Sequence, residues 1–502
     1  MSGKAAPDEV LSPSGSRTAD TSRWVALLVL SLVQLMDVLD GTIINIALPS
    51  AQNDLGFDLD NREWLVTGYA LTYGSLLLFG GRLADRFGRL RLLYIGLVGF
   101  AVSSAIGGAA PTFEVLLTAR ISQGLFAAVL APAALSLVSV TFANNPSERG
   151  KAFAVFGAVS GMGGAIGLIA GGVLTDQLSW RWCLYINVAI AAVATLGTLA
   201  FVRDREGVPT DASSRSIDLP GALLVAGGLG GIVFGLGNSA IDGWKTPATW
   251  LPVLAGVLLI TAFVAREMRT DHPLLPFSVI LDRNRGAAYS GIAISGVGSF
   301  AIFLYLSYFL QQILGFSATA AGFAFLPFAA ALVVGAGISG SALLPRFGPR
   351  PIIPAGCLSS AASLLLLTRI NLNTEYVSGV LPAILLAGFG TGLIFGSAQN
   401  VATAGVASSH SGVASALVNT MQQVGGAIGL ALFTYVSATA TDRYLSHHAD
   451  QPAHRMQALA ALSSYHTVFW IAIGVFVVGA VITAATFRSG TIELNKDAVP
   501  AH

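Results

Sequence analysis

Long apolar runs alternate with short polar ones along the whole chain. Windows of about 20 apolar residues, bounded by charges or by Pro, Gly and Asn clusters, fall near residues 24–48, 64–80, 92–110, 113–141, 151–175, 183–202, 219–238, 250–266, 287–310, 317–344, 351–369, 377–400, 411–438 and 464–487. In lipid every backbone group has to pair inside its own segment, and none of the windows shows the alternating pattern of a barrel strand, so each reads as a helix. The pattern predicts an all-α polytopic membrane protein with 14 transmembrane helices.

Composition supports this. The 502 residues include only 27 Lys+Arg and 26 Asp+Glu, 11% of the chain. A soluble chain of this length would carry on the order of 125 charges. The apolar residues (54%) together with 57 Gly suffice for roughly 14 helices of about 23 residues. A net charge of +1 offers no basic surface for nucleic acid. Cys183 and Cys357 lie in apolar runs and read as small buried hydrophobes. Met1 to Arg23 is polar and mixed in charge and leads into a run too long for a signal h-region, so the first segment is expected to be retained.

Loop charge tests the count. With the N-terminus in the cytoplasm, about 20 of the 27 basic residues fall in cytoplasmic segments, about 6 outside and one, Arg120, within a span. The second inside segment holds Arg82, Arg86, Arg89 and Arg91, whereas the first outside loop has Asp54, Asp58, Asp60 and Glu63 against Arg62 alone. Both termini are therefore expected in the cytoplasm.

The chain also repeats itself. Gly163-Gly-Ala-Ile-Gly-Leu168 recurs at Gly425 to Leu430, an offset of 262, and Gly80 to Arg91 aligns without gaps on Gly340 to Pro351, an offset of 260. The expected organisation is a tail (1–23), a six-helix bundle (24–203), linkers with two inserted spans (204–286), a second six-helix bundle (287–487) and a tail (488–502). Parallel repeats of this kind enclose a midplane pathway, which is transporter architecture.

Of the acidic residues, only Asp37 and Asp40 lie deep in a span. A buried charge there is expensive and is by default a functional-site hypothesis. Three apart on a helix, the two share a face that Gln34 and Asn45 continue. Arg120, with Gln123 one turn on, is the basic residue at a compatible depth. A buried ion pair that only orients helices is one reading of these residues. The other rests on the count of two acids to one base, which leaves a spare carboxylate in a dry site, as a proton carrier requires. The segment Gly81 to Arg91 reads either as a positive-inside anchor with a tight Gly turn or as a structured loop in which Asp85 caps the following helix.

With these residues in place, the chain resembles a known family. Leu39-Asp-Gly-Thr-Ile-Ile-Asn-Ile-Ala-Leu-Pro49, Gly81-x-Leu-Ala-Asp-x-x-Gly-Arg89, Arg120-x-x-Gln-Gly124, the glycines from Gly157 to Gly172 and Ser179-Trp-Arg-Trp182 are similar to the motifs of the major facilitator superfamily, in particular its 14-span drug:proton antiporters. The resemblance covers about residues 24 to 487. It implies a major-facilitator-type transporter in the bacterial inner membrane that exports hydrophobic or cationic small molecules by alternating access, driven by protons. It further implies coupling through Asp40 and Arg120, with Asp37 extra to the motif and grouped with them here. The loop with Gly81, Asp85, Arg86, Gly88 and Arg89 would act as a cytoplasmic latch. Gly163, Gly164, Gly167, Gly171 and Gly172 are expected to pack helices. Two departures stand out: Leu168 where antiporters of the superfamily usually carry Pro, and Pro345 in the second half where the first has Asp85. Leu168 should leave its helix unkinked, and Pro345 makes any latch one-sided.

Gln34, Asn45, Gln123, Tyr305, Tyr308, Asn419 and Gln423 are candidates to line a substrate cavity, although packing and interhelical bonding account for such residues as well. His447, His448 and His454 share the last outside loop without completing a metal pattern, so no metal is expected. No cofactor is expected either, and the absence of a Gly-x-x-x-x-Gly-Lys-Ser/Thr loop excludes ATP as the energy source. The partners are a small hydrophobic substrate, protons and the bilayer, with a single chain sufficient for a pathway and the oligomeric state left open. Rival readings are a proton-coupled symporter for nutrient uptake and, more distantly, a membrane sensor or enzyme.

Overall fold

The computed structural model of the chain describes residues 14–62, 64–142, 146–202, 218–243, 246–270, 282–403, 411–447, 453–488 and 490. Among these residues all regular structure is helical. The helices are α1 (Ser14–Leu55), α2 (Trp64–Phe87), α3 (Arg89–Gly108), α4 (Phe113–Thr141), α5 (Pro146–Gln177), α6 (Trp182–Phe201), α7 (Leu219–Asp242), α8 (Pro247–Glu267), α9 (Arg283–Ile313), α10 (Ala318–Phe347), α11 (Pro349–Leu367), α12 (Tyr376–Ala402), α13 (Ser411–His447) and α14 (Ala453–Thr486). Among the described residues 11 helices are long and apolar enough to cross a membrane. The other expected positions are held by α2, by α5 and by α7, which contains the shorter apolar stretch Pro220–Leu236.

Several helices outrun their hydropathy windows. α1 begins at Ser14, inside the expected tail, and α2 continues to Phe87. Hydropathy registers only the hydrocarbon-embedded turns, whereas backbone pairing continues into the headgroup layer. The expected loop Gly81 to Arg91 is accordingly the end of α2, a one-residue turn at Gly88 and the start of α3. Gly88, not Asp85, stands at the N-cap of α3, with φ 97°. The Asp85 side chain lies outside the described ones, as do the imidazoles of His448 and His454. α5 is continuous through Leu168, which is buried.

Outward faces are apolar, the inverse of a soluble protein. α3 exposes Ile95, Val98, Val102 and Ile106, one per turn, and α6 exposes Val193, Leu196 and Leu199. At helical spacing these form stripes that acyl chains cover.

Glycines set the helix pairs. A Cβ added at Gly167 or Gly171 would meet the carbonyl oxygen of Leu39 or Ile43 at 2.8 Å, so α5 packs backbone to backbone on α1. In the second half Gly425 and Gly429 meet the carbonyls of Ala293 and Val297, packing α13 on α9 in the same way. Gly348 (φ 70°) turns α10 into α11 as Gly88 turns α2 into α3, one repeat earlier. The duplication read from the sequence is thus a duplication of packing.

The bundles meet unevenly. The turns of α1 from Leu39 to Ala51 share one apolar core with the second bundle, whereas Ala26 to Met36, with the facing parts of α2 to α4, belong to a separate core. Contact is closest on the side expected to face outward. There Gly172 abuts Ala318 and Thr319 of α10, Gly322 faces the Leu168 carbonyl, and the Asp176 carboxylate accepts the N–H groups of Ala318 (3.2 Å) and Thr319 (2.7 Å). Gly172 therefore packs α5 against the opposite bundle, unlike the other glycines of its stripe. Arg62 lies over the Tyr308 ring, 3.6 Å from its centre. On the other seam Gly74 of α2 admits Gln423 of α13. The inserted α7–α8 pair is a tight hairpin, Gly231 and Gly256 facing each other, and α7 packs on both α2 and α13.

Candidate functional site

α1, α2, α4 and α6 converge on one buried polar cluster. Three small residues permit this: Gly167 and Gly171 bring α5 against the back of α1 around Asp40, and Gly124 lets α4 approach the Tyr69 backbone, a Cβ there standing 2.5 Å from the Tyr69 carbonyl. The motif Arg120-x-x-Gln-Gly124 thus supplies a cation, a polar partner one turn on, and the space that brings α2 alongside.

Asp40 and Arg120 are both fully buried, and Arg120 Nη1 donates to Asp40 Oδ2 at 2.6 Å. The other carboxylate oxygen, Oδ1, accepts Asn187 Nδ2 at 2.6 Å and Gln123 Nε2 at 3.1 Å. Gln123 also accepts from Arg120 Nη1 (2.9 Å) and donates to Ser104 (2.8 Å), and Arg120 Nε reaches the Leu65 carbonyl at 3.3 Å. Such a network holds an ion pair in a dry site only because nearly every lone pair and proton is matched. Two atoms are left over: Arg120 Nη2 and Asn187 Oδ1 have no hydrogen-bond partner among the described residues.

Asp37, 3% exposed, has no basic partner among the described residues. Tyr69 Oη donates to its Oδ1 at 3.1 Å and Tyr73 Oη to its Oδ2 at 2.8 Å. The Tyr69 ring carries the Arg120 guanidinium 4.4 Å from its centre, a cation–π contact.

The structure brings Asp37, Asp40, Arg120 and Gln123 together; the sequence placed Asp37 and Asp40 on one helix face and Arg120 at a depth compatible with Asp40. Tyr69, Tyr73, Ser104 and Asn187 were missed. The i, i+4 tyrosines of α2 and the lone Asn of α6 are polar letters in apolar windows, and hydropathy averaging hides them. Gln34 and Asn45 are buried along the same helix, with Asn45 Oδ1 unpartnered among the described residues. Tyr305 and Tyr308 sit elsewhere, packed with Tyr465 beneath Arg62. On α9, Tyr305 ends the π-helical stretch Ala301–Tyr305 and Tyr308 directly precedes the second, Phe309–Ile313. Asn419 lines a small cleft with Leu77, Ala131, Pro132 and Leu135, between the bundles. Among the described residues no group of three His, Cys, Asp or Glu gathers to hold a metal.

The Ser179-Trp-Arg-Trp182 motif ties helix ends of the first bundle together at the end of α1 that carries Asp54. Trp180 Nε1 donates to Asp54 at 3.0 Å, Arg181 pairs with Asp54, donates to the Ala110 carbonyl at 3.0 Å and stacks on the Trp180 ring.

Two duplicated helical bundles, closed on one side, with a charge cluster sealed inside one of them, define a multi-pass membrane transporter. The chain belongs to the Major Facilitator Superfamily, whose sequence profile matches residues 30–430. It is 45% identical over 474 residues to the puromycin resistance protein pur8 of Streptomyces alboniger, covering 94% of this chain and 93% of that one. It is 34% identical to the cephamycin export protein CmcT of Amycolatopsis lactamdurans, covering 86% and 90%. Among solved structures, a bacterial homologue of the human lysosomal transporter Spinster superposes with a TM-score of 0.63 at 16% identity, covering 95% of this chain and 98% of that one, and so shares the fold.

Proposed function

We propose that this chain exports antibiotic-like small molecules across the bacterial cytoplasmic membrane in exchange for protons, with both termini in the cytoplasm and 14 spans. The observation that carries the reading is the cluster itself: two carboxylates against one guanidinium in a site shut off from water. One carboxyl must therefore bind or release a proton for the cluster to change its charge, and a rocking of the bundles is the movement that exposes it to either side. The relatives named for puromycin resistance and cephamycin export support export as the direction. Puromycin is the first compound to test.

Everted vesicles from a pump-deficient host expressing the chain, energised to an acid interior, are expected to accumulate puromycin, and Asp40→Asn is expected to abolish the accumulation. Equal accumulation by Asp40→Asn sinks the coupling role. Loading of right-side-out vesicles down a proton gradient instead identifies proton symport.

A further inference from the structure

Resting on the export reading above, we infer that the two carboxylates divide the work: Asp37 carries the exchangeable proton, and Tyr69 is the positioning residue that transmits its charge state to the Arg120–Asp40 pair. Asp40 is fully committed, with a guanidinium and two amide donors on its oxygens. Among the described residues Asp37 is held by two neutral phenols. The charged and titratable groups that face it are Asp40 on its own helix, Tyr69 and Tyr73 on α2 and, across the Tyr69 ring, Arg120 on α4. With Asp40 and Arg120 paired, the cluster is neutral only when Asp37 carries a proton.

Proton uptake at Asp37 forms an O–H bond on one of its oxygens and turns that oxygen from acceptor to donor. A phenol that accepts this new O–H turns its own O–H away from that oxygen. For Tyr73 that rearrangement stays local. For Tyr69 it does not, because the other side of the same ring system carries the Arg120 guanidinium at 4.4 Å. A change in the Tyr69 hydroxyl shifts the support under Arg120, and with it the pair that joins α1 to α4 and, through Asn187, to α6. Release of the proton to the other side restores the two phenol donors. Tyr69 thus touches both systems, its hydroxyl on Asp37 and its ring under Arg120.

The test uses the full chain in proteoliposomes with labelled puromycin and with ethidium as a second probe, comparing accumulation driven by a pH gradient with counterflow in its absence. Asp37→Asn is expected to lose gradient-driven accumulation and keep counterflow. Tyr69→Phe, which retains the ring under Arg120, is expected to lose about tenfold in gradient-driven accumulation with counterflow within about twofold of wild type. Its pH profile should move as well. Tyr73→Phe strips Asp37 of a hydroxyl without removing the ring under Arg120, and is expected to move the pH profile with a smaller loss of accumulation than Tyr69→Phe. The inference is overturned if Tyr69→Phe matches Tyr73→Phe, or if counterflow falls in parallel with accumulation, the mark of ordinary packing damage. A wild-type protein that accumulates neither probe under the gradient refutes the export reading itself, whatever the variants do.

Discussion

Arg120 is the residue on which the site depends most. Its guanidinium meets Asp40, Gln123, the Leu65 carbonyl and the Tyr69 ring at once. Removing it by Arg120→Leu leaves the buried Asp40 carboxylate without its counter-charge, at a cost of about 3–5 kcal/mol. A thermal-shift assay in detergent is expected to show a strongly lowered midpoint, and a wild-type midpoint would mean the site is not sealed. Arg120→Lys keeps the charge but not the planar fork, so it is expected to fold and to lose at least about tenfold in transport. Asn187→Leu leaves Asp40 Oδ1 short of its 2.6 Å donor, a loss of about 1–3 kcal/mol visible in the same melt.

At the scale of elements, close glycine contacts decide which helices pair. Gly171→Ala places a methyl 2.8 Å from the Ile43 carbonyl, backbone that cannot step aside. Overpacking of this kind costs about 1–3 kcal/mol, so purified protein is expected to melt earlier; Gly164→Ala, whose neighbour stands 3.7 Å away, serves as the tolerant control. Gly88 and Gly348 turn corresponding helices with φ of 97° and 70°. Alanine at either position adds about 1–2 kcal/mol of strain. Equal losses at the two positions, measured by melting, would confirm that the turn is structural in both halves. A loss of transport beyond the stability change at Gly88 alone would mark the one-sided latch.

At the scale of the molecule, the closure around Asp176 is a joint between bundles. Asp176 lies past the expected end of its span. Burial, the largest single influence, pushes its carboxyl up, but the hydrogen-bond donors together, the Thr319 N–H first among them, outweigh it and hold the carboxyl below the ordinary value. A lowered value means that the contact is fully present above the usual carboxylate range and is lost as pH falls through the lowered value. Asp176→Ala is expected to open the closure at neutral pH, read as faster labelling of a cysteine placed at Thr319, whereas wild type reaches that rate only in acid. Labelling of Asp176→Ala at the wild-type rate would show the glycine contacts at Gly172 and Gly322 to be sufficient. The α7–α8 hairpin, seated on α2 and α13, covers the opposite seam.

Much of this was legible in the letters. Hydropathy located the long helices because lipid demands apolar segments of that length, and the offsets of 262 and 260 exposed the duplication. The cost of burying charge singled out Asp37, Asp40 and Arg120, since so few charged letters fall inside a span. What stayed out of reach was every relation between helices far apart in sequence. That Asn187 and Ser104 complete the cluster, that two tyrosines hold Asp37, and that Gly172 faces the opposite bundle while Gly167 faces its own all depend on how helices rotate and approach. A helix's sequence determines that it spans the membrane; the backbone contacts that glycines permit decide which neighbour each face meets.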